Sequence, residues 1–325
     1  MPPSGFRPGI KTISGNRGRL APRHSPASLR LYHVFYRFRV ITPSTVSGIK
    51  RNNLLRYMNI CIIGCGSIGS MLARAASEME EIEKIFLLDR NMSMAKKLAE
   101  KLPDSETISR IESVKGKVEL VIEAASQKAV KLFGPMVVGM GISLMIMSVG
   151  ALVDDELFAL LKATARANGV KLYLPSGAIG GVDVVNAAAV KKIYEISLKT
   201  SKPPDGLLNN EYITGAGIDV RKIERPTVVF DGSAGEAIKV FPLNINVATT
   251  LALSGIGKER TRVRIIVDPD IDRNVHELSM RGEFGGMKCT VQNVPHPENP
   301  KTSYLAALSA IAKLKKIVSV VDIGT

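Results

Sequence analysis

Residues 58–69 read MNICIIGCGSIG, an apolar run that passes directly into a glycine-rich turn. The apolar run at Asn59–Ile63 is short and continuous, which predicts a buried strand. The segment Cys65–Ser77 follows without a spacer and predicts a helix. A strand, a glycine turn and a helix in immediate succession form the unit from which the rest of the fold can be worked out.

The turn has the spacing GxGxxG, and each glycine has a separate physical task. Gly64 permits the tight turn, Gly66 lets a pyrophosphate approach the backbone, and Gly69 lets the helix pack close to the strand. Ser67 and Ile68 lie in the first turn of the predicted helix, whose N-terminus then points its free N–H groups at the phosphates. The turn therefore predicts a dinucleotide-binding site, with a ligand-free glycine turn as the alternative.

An acidic residue at the end of the next strand bears on the identity of the dinucleotide. Asp89 follows the strand Lys84–Leu88 and lies 25 residues after Gly64, near the ~20 residues expected for a group that bonds the ribose hydroxyls. That position favours NAD. Arg90 follows directly and can accept a 2′-phosphate, so NADP stays open.

The remainder of the chain alternates strands and helices and then changes character. Further strands are predicted at Glu119–Glu123, Ile142–Val149 and Lys171–Pro175, and helices at Ser93–Lys101, Gln127–Phe133 and Asp154–Asn168. This alternation indicates a parallel sheet. Strands after Val190 are predicted at Ile193–Lys199, Thr227–Asp231, Arg262–Asp268, Val275–Met280 and Met287–Gln292, and helices at Ile245–Ser254 and Ser303–Lys316.

The predicted fold class is α/β, with an N-terminal Rossmann-type, doubly wound parallel sheet and a C-terminal α+β domain whose sheet is mainly antiparallel. The predicted domains are a dinucleotide-binding domain at 58–180 and a substrate and dimerisation domain at 181–325. The final helix can pack back on the first domain. Ala124 and Ala125, at the end of the third clear strand, are small enough to leave room for cofactor, although packing explains them equally well.

The charge of +14 is concentrated at one end of the chain. Residues 1–57 hold eleven Lys or Arg and no acid, which leaves 33 basic and 30 acidic residues elsewhere. This extension is predicted to be disordered. Three interpretations stay open: a basic arm for nucleic acid, a transit peptide, or a translation start at Met58. We expect no nucleic-acid partner for the nearly neutral body.

Cysteine and hydropathy patterns bear on the cellular compartment of the protein, on metal binding and on membrane insertion. Cys61, Cys65 and Cys289 are too few for a disulfide scaffold and lack zinc-site spacing, so we expect no metal and a reducing, cytoplasmic location. The uncharged stretch 136–153 is broken by glycines and serines and is followed at once by acids. It is better explained as a helix end and a buried strand than as a membrane span.

The body contains two histidines. His276 lies on a predicted strand, where a histidine taken alone is more often structural than catalytic. His296 lies in a proline-rich loop and, taken alone, is expected to be solvated. Composition and motifs by themselves indicate a nicotinamide-dependent oxidoreductase without naming its substrate.

Five segments together carry a resemblance to a known family. They are IGCGSIG at Ile63–Gly69, PSGAIGGVD at Pro175–Asp183, FPLNINVATTLALSG at Phe241–Gly255, VDPDIDRNVHEL at Val267–Leu278, and PENPKTS at Pro297–Ser303. The first is generic, whereas the other four in this order are specific. The body from Met58 onward resembles the L-aspartate dehydrogenase family.

The resemblance implies oxidation of L-aspartate to iminoaspartate with NAD or NADP, followed by hydrolysis to oxaloacetate and ammonia. It also implies a homodimer and a supply of iminoaspartate to quinolinate synthase and NAD biosynthesis. The family's active-site histidine falls on His276, which reverses the structural expectation. Its cofactor-contacting residues fall on Asn246 and on Ser176–Gly181, including Ala178 and Gly180, where glycine replaces a common alanine.

A substrate site follows from these assignments. His276 is the expected general acid/base, since a neutral imidazole near pH 7 suits proton removal from an amine. The two carboxylates of aspartate need cationic or N–H donors. Lys301, Thr302 and Ser303 are predicted to open the final helix and supply such donors, with capping by Thr302 as the alternative. His296 is a further candidate carboxylate ligand.

Other functions remain open at this level. One is a different two-domain reductase, of the dihydrodipicolinate or homoserine dehydrogenase type. Another is a non-catalytic NAD sensor, which would keep Gly64–Gly69 but need not keep His276. The third is a nucleic-acid binder that depends on residues 1–57 alone.

Overall fold

The computed structural model describes residues 57–208, 210–241 and 245–324, apart from the side chains of residues 300 and 301. The predictions for residues 1–56 and for the side chain of Lys301 lie outside this part of the chain.

The first sheet has six strands, all paired in parallel, in the order β3-β2-β1-β4-β5-β6. The strands are β1 Met58–Ile63, β2 Ile82–Leu88, β3 Ser105–Thr107, β4 Leu120–Glu123, β5 Ser143–Ile146 and β6 Leu172–Tyr173. The helices are α1 Ser67–Ser77, α2 Met92–Ala99, α3 Gln127–Gly139 and α4 Asp155–Ala167. Successive strands are added in one direction from β1 to β3 and in the opposite direction from β4 to β6. The boundary between β1 and β4 is therefore the topological switch point, where doubly wound sheets bind ligands.

Hydrophobic burial explains why these runs became parallel strands. Every residue of β4 is buried, and β1 is buried apart from partial exposure at Asn59. Continuous burial of this kind requires cover on both faces of the sheet. One face packs beneath α3 and α4, and the other beneath α1, α2 and part of the C-terminal helix. The predicted Rossmann-type sheet is confirmed.

The second sheet has five strands in the order β11-β10-β7-β9-β8. They are β7 Ile193–Lys202, β8 Thr227–Ser233, β9 Thr261–Val267, β10 Asn274–Gly282 and β11 Gly285–Asn293. Only the β7–β9 pair among these is parallel, so the sheet is mainly antiparallel as predicted. The accompanying helices are α5 Val182–Ala188, α6 Glu211–Gly215, α7 Ala234–Val240 and α8 Asn246–Ser254.

The two faces of the second sheet differ in polarity. Apolar side chains such as Leu198 and Leu278 lie on the face that packs against α7 and α8. The opposite face carries ion pairs, including one of 2.6 Å between Lys199 Nζ and Glu277 Oε1. The side-chain alternation of a strand therefore assigns each residue of β7 and β10 either to the core side or to the open side.

A short hairpin and a long helix close the described chain. The hairpin pairs β12 Pro295–His296 with β13 Asn299–Ser303, and α9 follows at Tyr304–Val318. Helix α9 returns to the first sheet, where Ala310 and Leu314 are buried with β1 and α1. Lys301 and Thr302 lie in β13 rather than in the helix, which corrects the prediction for these two residues, whereas Ser303 ends β13 as the N-cap residue of α9.

Over the described ranges, no helix combines the length and the apolar character that a membrane crossing demands.

Candidate active site

The glycine turn after β1 has the geometry that its spacing predicts. Gly64 has φ +98°, and a Cβ there would lie 2.7 Å from the carbonyl oxygen of Ala124 and 2.8 Å from Cβ of Ala125. A Cβ at Gly69 would overlap the carbonyl oxygen of Gly64. A Cβ at Gly66, in contrast, would meet no protein atom within 4 Å. Gly64 and Gly69 are therefore required by packing, whereas Gly66 leaves open space beside the backbone.

The first turn of α1 is available to an anion. Gly66 is the N-cap residue and makes no side-chain capping bond, and neither Ser67 nor the next residues of that turn are acidic. The N–H groups at this end therefore carry the positive end of the helix dipole without a side-chain partner. Ile68, one position further along, contributes to the wall of the cleft described below. The open space and the free donors both fit a pyrophosphate.

Asp89 lies against the glycine turn and accepts backbone hydrogen bonds that the sequence did not indicate. Its Oδ2 accepts a hydrogen bond from the backbone N–H of Cys65 at 2.7 Å, and its Oδ1 accepts one from the N–H of Asn91 at 2.7 Å. The carboxylate thus ties the end of β2 to the turn after β1. Arg90 beside it is exposed. Each residue is positioned at the edge where a ribose would lie in this fold.

Glu123 is a buried acid whose role was not predicted. It is 1% exposed, and its oxygens accept bonds from the N–H groups of Ala125, Ser126 and Ser148 and from the Ser148 hydroxyl, at 2.7–3.0 Å. Burial raises the pKa of this carboxyl, and these four donors oppose that effect. Glu123 therefore joins the ends of β4 and β5. The position of this acid at the end of a fully apolar strand was the sequence feature from which its burial could have been predicted.

A cleft opens at the carboxyl edge of the first sheet, between that sheet and the second. Ile146, Met147 and Val149 form part of its apolar wall. Its polar wall comes from Lys202, Asn246, Thr250, Asn274, His276, Thr302 and Ser303. A cleft that combines apolar walls with converging polar groups is the usual form of a ligand site.

His276 lies in this cleft and is held from the neighbouring strand. It is 6% exposed, and its Nδ1 is 2.9 Å from the hydroxyl oxygen of Thr200, its partner in the register of β10 and β7. Burial lowers the pKa of His276 to about 4, with the nearby charge of Lys202 as a smaller cause. The imidazole is therefore neutral at pH 7 and can accept a proton.

Lys202, the last residue of β7, was missed by the sequence analysis. Only 7% of it is exposed, and it lines the same cleft as His276. Desolvation by burial lowers its pKa to about 8. The alternation of side chains along β7 could have indicated its position, because a residue two positions after Thr200 lies on the same face of the sheet as Thr200.

Asn246 and Ala178 bring the two sheets together at the cleft. Asn246 starts α8, and its Oδ1 accepts the N–H of Gly150 at 2.9 Å. The carbonyl oxygen of Ala178 accepts a bond of 3.0 Å from Nδ2 of Asn293. Gly180 instead faces β11, where a Cβ would lie 3.1 Å from Sγ of Cys289. Asn246 and Ala178 line the cleft, and Gly180 does not.

The predicted carboxylate ligands divide into two groups. Thr302 and Ser303 line the cleft, and Ser303 is the N-cap residue of α9 without a side-chain capping bond. His296 is 3% exposed, lies outside the cleft wall and accepts the N–H of Glu298 at its Nδ1. Its ring packs edge-on against Tyr304 at 5.6 Å. The expectation of a solvated His296 is therefore wrong, because the β12–β13 hairpin encloses the ring.

Within the described ranges, no group of three or more His, Cys, Asp or Glu is close enough together to hold a metal ion. The parallel sheet, the glycine turn and the cleft to the second sheet define the class of protein, which is an NAD(P)-dependent dehydrogenase with a Rossmann-type sheet. A family model described as "Homoserine dehydrogenase, NAD binding domain" matches residues 64–175, and one described as "Aspartate dehydrogenase, C-terminal" matches residues 183–317. The chain belongs to the L-aspartate dehydrogenase family.

Individual relatives support the same assignment. The L-aspartate dehydrogenase of Methanosarcina mazei is 47% identical over 270 residues, which are 82% of this chain and 100% of that protein. The enzyme of Nitrosopumilus maritimus is 40% identical over 82% of this chain and 99% of its own. The crystal structure of aspartate dehydrogenase from Thermotoga maritima matches with a TM-score of 0.65 and 29% identity, covering 82% of this chain and 100% of that one. The family prediction is confirmed.

Proposed function

We propose that this protein oxidatively deaminates L-aspartate with NAD or NADP, giving iminoaspartate that hydrolyses to oxaloacetate and ammonia. The names of its relatives support the substrate. The observation that carries the proposal is a buried, neutral His276 in a cleft that Asn246 and Ala178 also line.

The residues of the cleft and of the glycine turn fit the cofactor. Gly66 provides open space at a helix N-terminus without a cap, which suits a pyrophosphate, and Asp89 would bond the adenosine ribose. Asn246 and Ala178 would contact the nicotinamide end. The bound cofactor supplies the acceptor for the hydride that leaves the α-carbon of the substrate.

His276 acts on the amine. In the base role its Nε2 removes a proton from the substrate ammonium, so that the nitrogen lone pair can form the C=N bond as hydride leaves. Once the imidazolium has released that proton to solvent, the neutral ring can take a proton from the water that adds to the iminium carbon and pass it to the nitrogen, which leaves as ammonium. Burial among apolar side chains favours the neutral imidazole before each turnover.

The substrate carboxylates need donors, and two of the predicted ligands are positioned to supply them. Thr302 and Ser303 line the cleft, and the N–H groups that begin α9 follow immediately. Oriented N–H groups of this kind bind anions. We retain Lys301 and His296 as predicted ligands, although His296 lies outside the cleft wall.

The wider role follows from the family. We propose a homodimer in the reducing cytoplasm that hands iminoaspartate to quinolinate synthase for NAD biosynthesis. The three cysteines are free, as such a compartment requires. We also propose domains at 58–180 and 181–325, supported by the gap between the last strand of the first sheet and the first strand of the second.

The test is NADH and NADPH formation by the full chain with L-aspartate, beside L-homoserine, L-glutamate and L-alanine. Activity with aspartate alone is expected. His276→Ala should lower kcat by at least about a hundredfold, the usual contribution of a general acid/base, while NADH still binds. Unchanged turnover in that variant would remove His276 from the mechanism, and NADH binding without turnover of any amino acid would favour a sensor.

A further inference from the structure

The loop at 176–181 carries the expected nicotinamide contacts and is held by side chains from two other elements. It connects β6 to α5, and Gly177 and Ala178 line the cleft. The N–H of Gly177 donates a hydrogen bond of 3.1 Å to Oγ of Ser309 on α9. The carbonyl oxygen of Ala178 accepts one of 3.0 Å from Nδ2 of Asn293, the last residue of β11. Two consecutive loop residues are therefore fixed by side chains 132 and 115 residues further along the chain.

The second half of the same loop packs against β11. A Cβ at Gly180 would lie 3.1 Å from Sγ of Cys289, and one at Gly181 would lie 3.0 Å from Cε of Met287. Even numbers of residues separate Met287, Cys289 and Asn293, so their side chains lie on one face of the strand. This face of β11 therefore both packs against the loop and donates the hydrogen bond that holds it.

Asn293 is the more deeply buried of the two side chains that hold the loop. It is 3% exposed and pairs in register with Asn274, which lines the cleft. Its Oδ1 is buried and makes no hydrogen bond within the described part of the chain. Leaving a buried acceptor unpaired is unfavourable, so stability alone does not explain an asparagine at this position. A requirement for the bond from Nδ2 to Ala178 does explain it.

We propose that Asn293 and Ser309 are positioning residues, which fix the loop at 176–181 in the conformation that receives the nicotinamide. This inference rests on the proposed function and adds two residues that neither the sequence motifs nor the family resemblance supplied. Neither belongs to the described residues that line the cleft, so both act through the loop. A loop that is ordered before the cofactor arrives loses less conformational freedom on binding, which increases the affinity for the part of the ligand that it contacts.

The test compares the Kd for NADH with the Kd for ADP-ribose, which is the same molecule without its nicotinamide. The variants are Asn293→Leu, which has nearly the size of asparagine but no amide, and Ser309→Ala, which suits a helix. Asn210→Ala is the matched control, because Nδ2 of Asn210 also donates to a distant backbone carbonyl, that of Val240 at 3.1 Å, away from the described cleft wall. Thermal melts of each variant show that it is folded.

We expect the Kd for NADH to rise by about 3- to 10-fold in Asn293→Leu and in Ser309→Ala, the usual contribution of one hydrogen bond. The Kd for ADP-ribose should change less than about twofold, and Asn210→Ala should keep both wild-type values. Asn293→Ala carries the same expectation if the leucine variant does not fold. Equal losses for the two ligands would overturn the proposal, because the residue would then support the whole fold. Wild-type affinity for NADH would overturn the role of the residue that was changed.

Failure of the proposed function would be recognised separately, because the two Kd values are measured without an amino acid. If the wild-type chain binds NADH but turns over no L-aspartate, the activity is wrong, and the Kd values still decide the roles of Asn293 and Ser309. If it turns over L-aspartate but binds NADH no more tightly than ADP-ribose, the activity stands and the positioning proposal is overturned. A wild-type chain that binds neither ligand would reject both proposals.

Discussion

Thr200 and His276 face each other across β7 and β10, and the Thr200 hydroxyl oxygen lies 2.9 Å from Nδ1 of the imidazole. Both residues are buried. A base at Nε2 requires the tautomer in which Nδ1–H donates its hydrogen bond to Thr200. The cross-strand pair therefore fixes the orientation of the ring and is compatible with the tautomer that a base at Nε2 requires.

Loss of the Thr200 hydroxyl should affect turnover rather than cofactor binding. We expect Thr200→Val to lower kcat by about tenfold, the value of about one hydrogen bond, and Thr200→Ser to recover most of it. Steady-state rates from pH 6 to 10 with NADH titrations would measure this. Thr290→Val, on the exposed side of β11, is the matched control. A serine variant no better than the valine variant would contradict the positioning role.

Gly66 and Gly69 should respond differently to substitution by alanine. Gly66 has φ −75° and open space, so Gly66→Ala should fold with an unchanged Tm while the affinity for NAD falls by tenfold or more, because the methyl occupies the phosphate approach. Gly69→Ala forces its methyl onto the carbonyl of Gly64 and should cost about 1–3 kcal/mol of stability. Thermal melts and NADH titrations of both variants provide the measurement.

Gly139→Ala serves as a control for these substitutions, because a Cβ at Gly139 near the end of α3 meets nothing within 4 Å. It should leave cofactor affinity unchanged. A Gly66→Ala variant that binds NAD as the wild type does would show that the phosphate lies elsewhere.

Asp89 should contribute mainly to the affinity for NAD, and Arg90 should contribute to the affinity for NADP. Asp89→Ala removes the predicted ribose ligand and should raise KM for NAD by about 10-fold or more, by loss of a charge-assisted bond. KM for NADP should rise less, although the bond to the Cys65 N–H is lost for both. Arg90→Ala should raise KM for NADP alone. Equal changes for both cofactors in both variants would remove this pair from the ribose site.

The buried ammonium of Lys202 should make the stability of the free enzyme depend on pH. Its pKa falls from the ordinary 10.5 to about 8 in the folded state, which corresponds to about 3 kcal/mol against folding. The whole penalty applies below pH 8 and disappears as pH rises toward 10.5, because the folded state loses its proton first. Lys202→Met should therefore be the more stable protein at pH 7, and the difference should close by about pH 10.5.

Urea unfolding of the wild type and Lys202→Met at pH 7, 8.5 and 10 would measure this difference. Lys199→Met should stay within about 0.5 kcal/mol of the wild type at each pH, since its charge is half exposed. A constant difference between the wild type and Lys202→Met would show that the ammonium is not the cause.

Local sequence patterns predicted the structure correctly wherever the residues that determine it lie within one segment. The strand, turn and helix at 58–77 are determined by hydrophobic burial and by three glycines whose tasks lie within a few residues of one another. The apolar runs of the first sheet are likewise buried on both faces, so their parallel arrangement follows from composition and spacing. The sequence also led to the prediction of a catalytic His276, although only through its resemblance to a family.

Only the tertiary structure brought distant residues together. Thr200 and His276 meet because β10 pairs with β7 in one register, and a shift by one residue would turn both side chains to the open face. The same register distinguishes the buried Lys202 from the half-exposed Lys199. The pairing of β12 with β13 decides that His296 is enclosed and that α9 begins only at Tyr304. Strand register and burial depend on the whole packed chain, and no single segment contains that information.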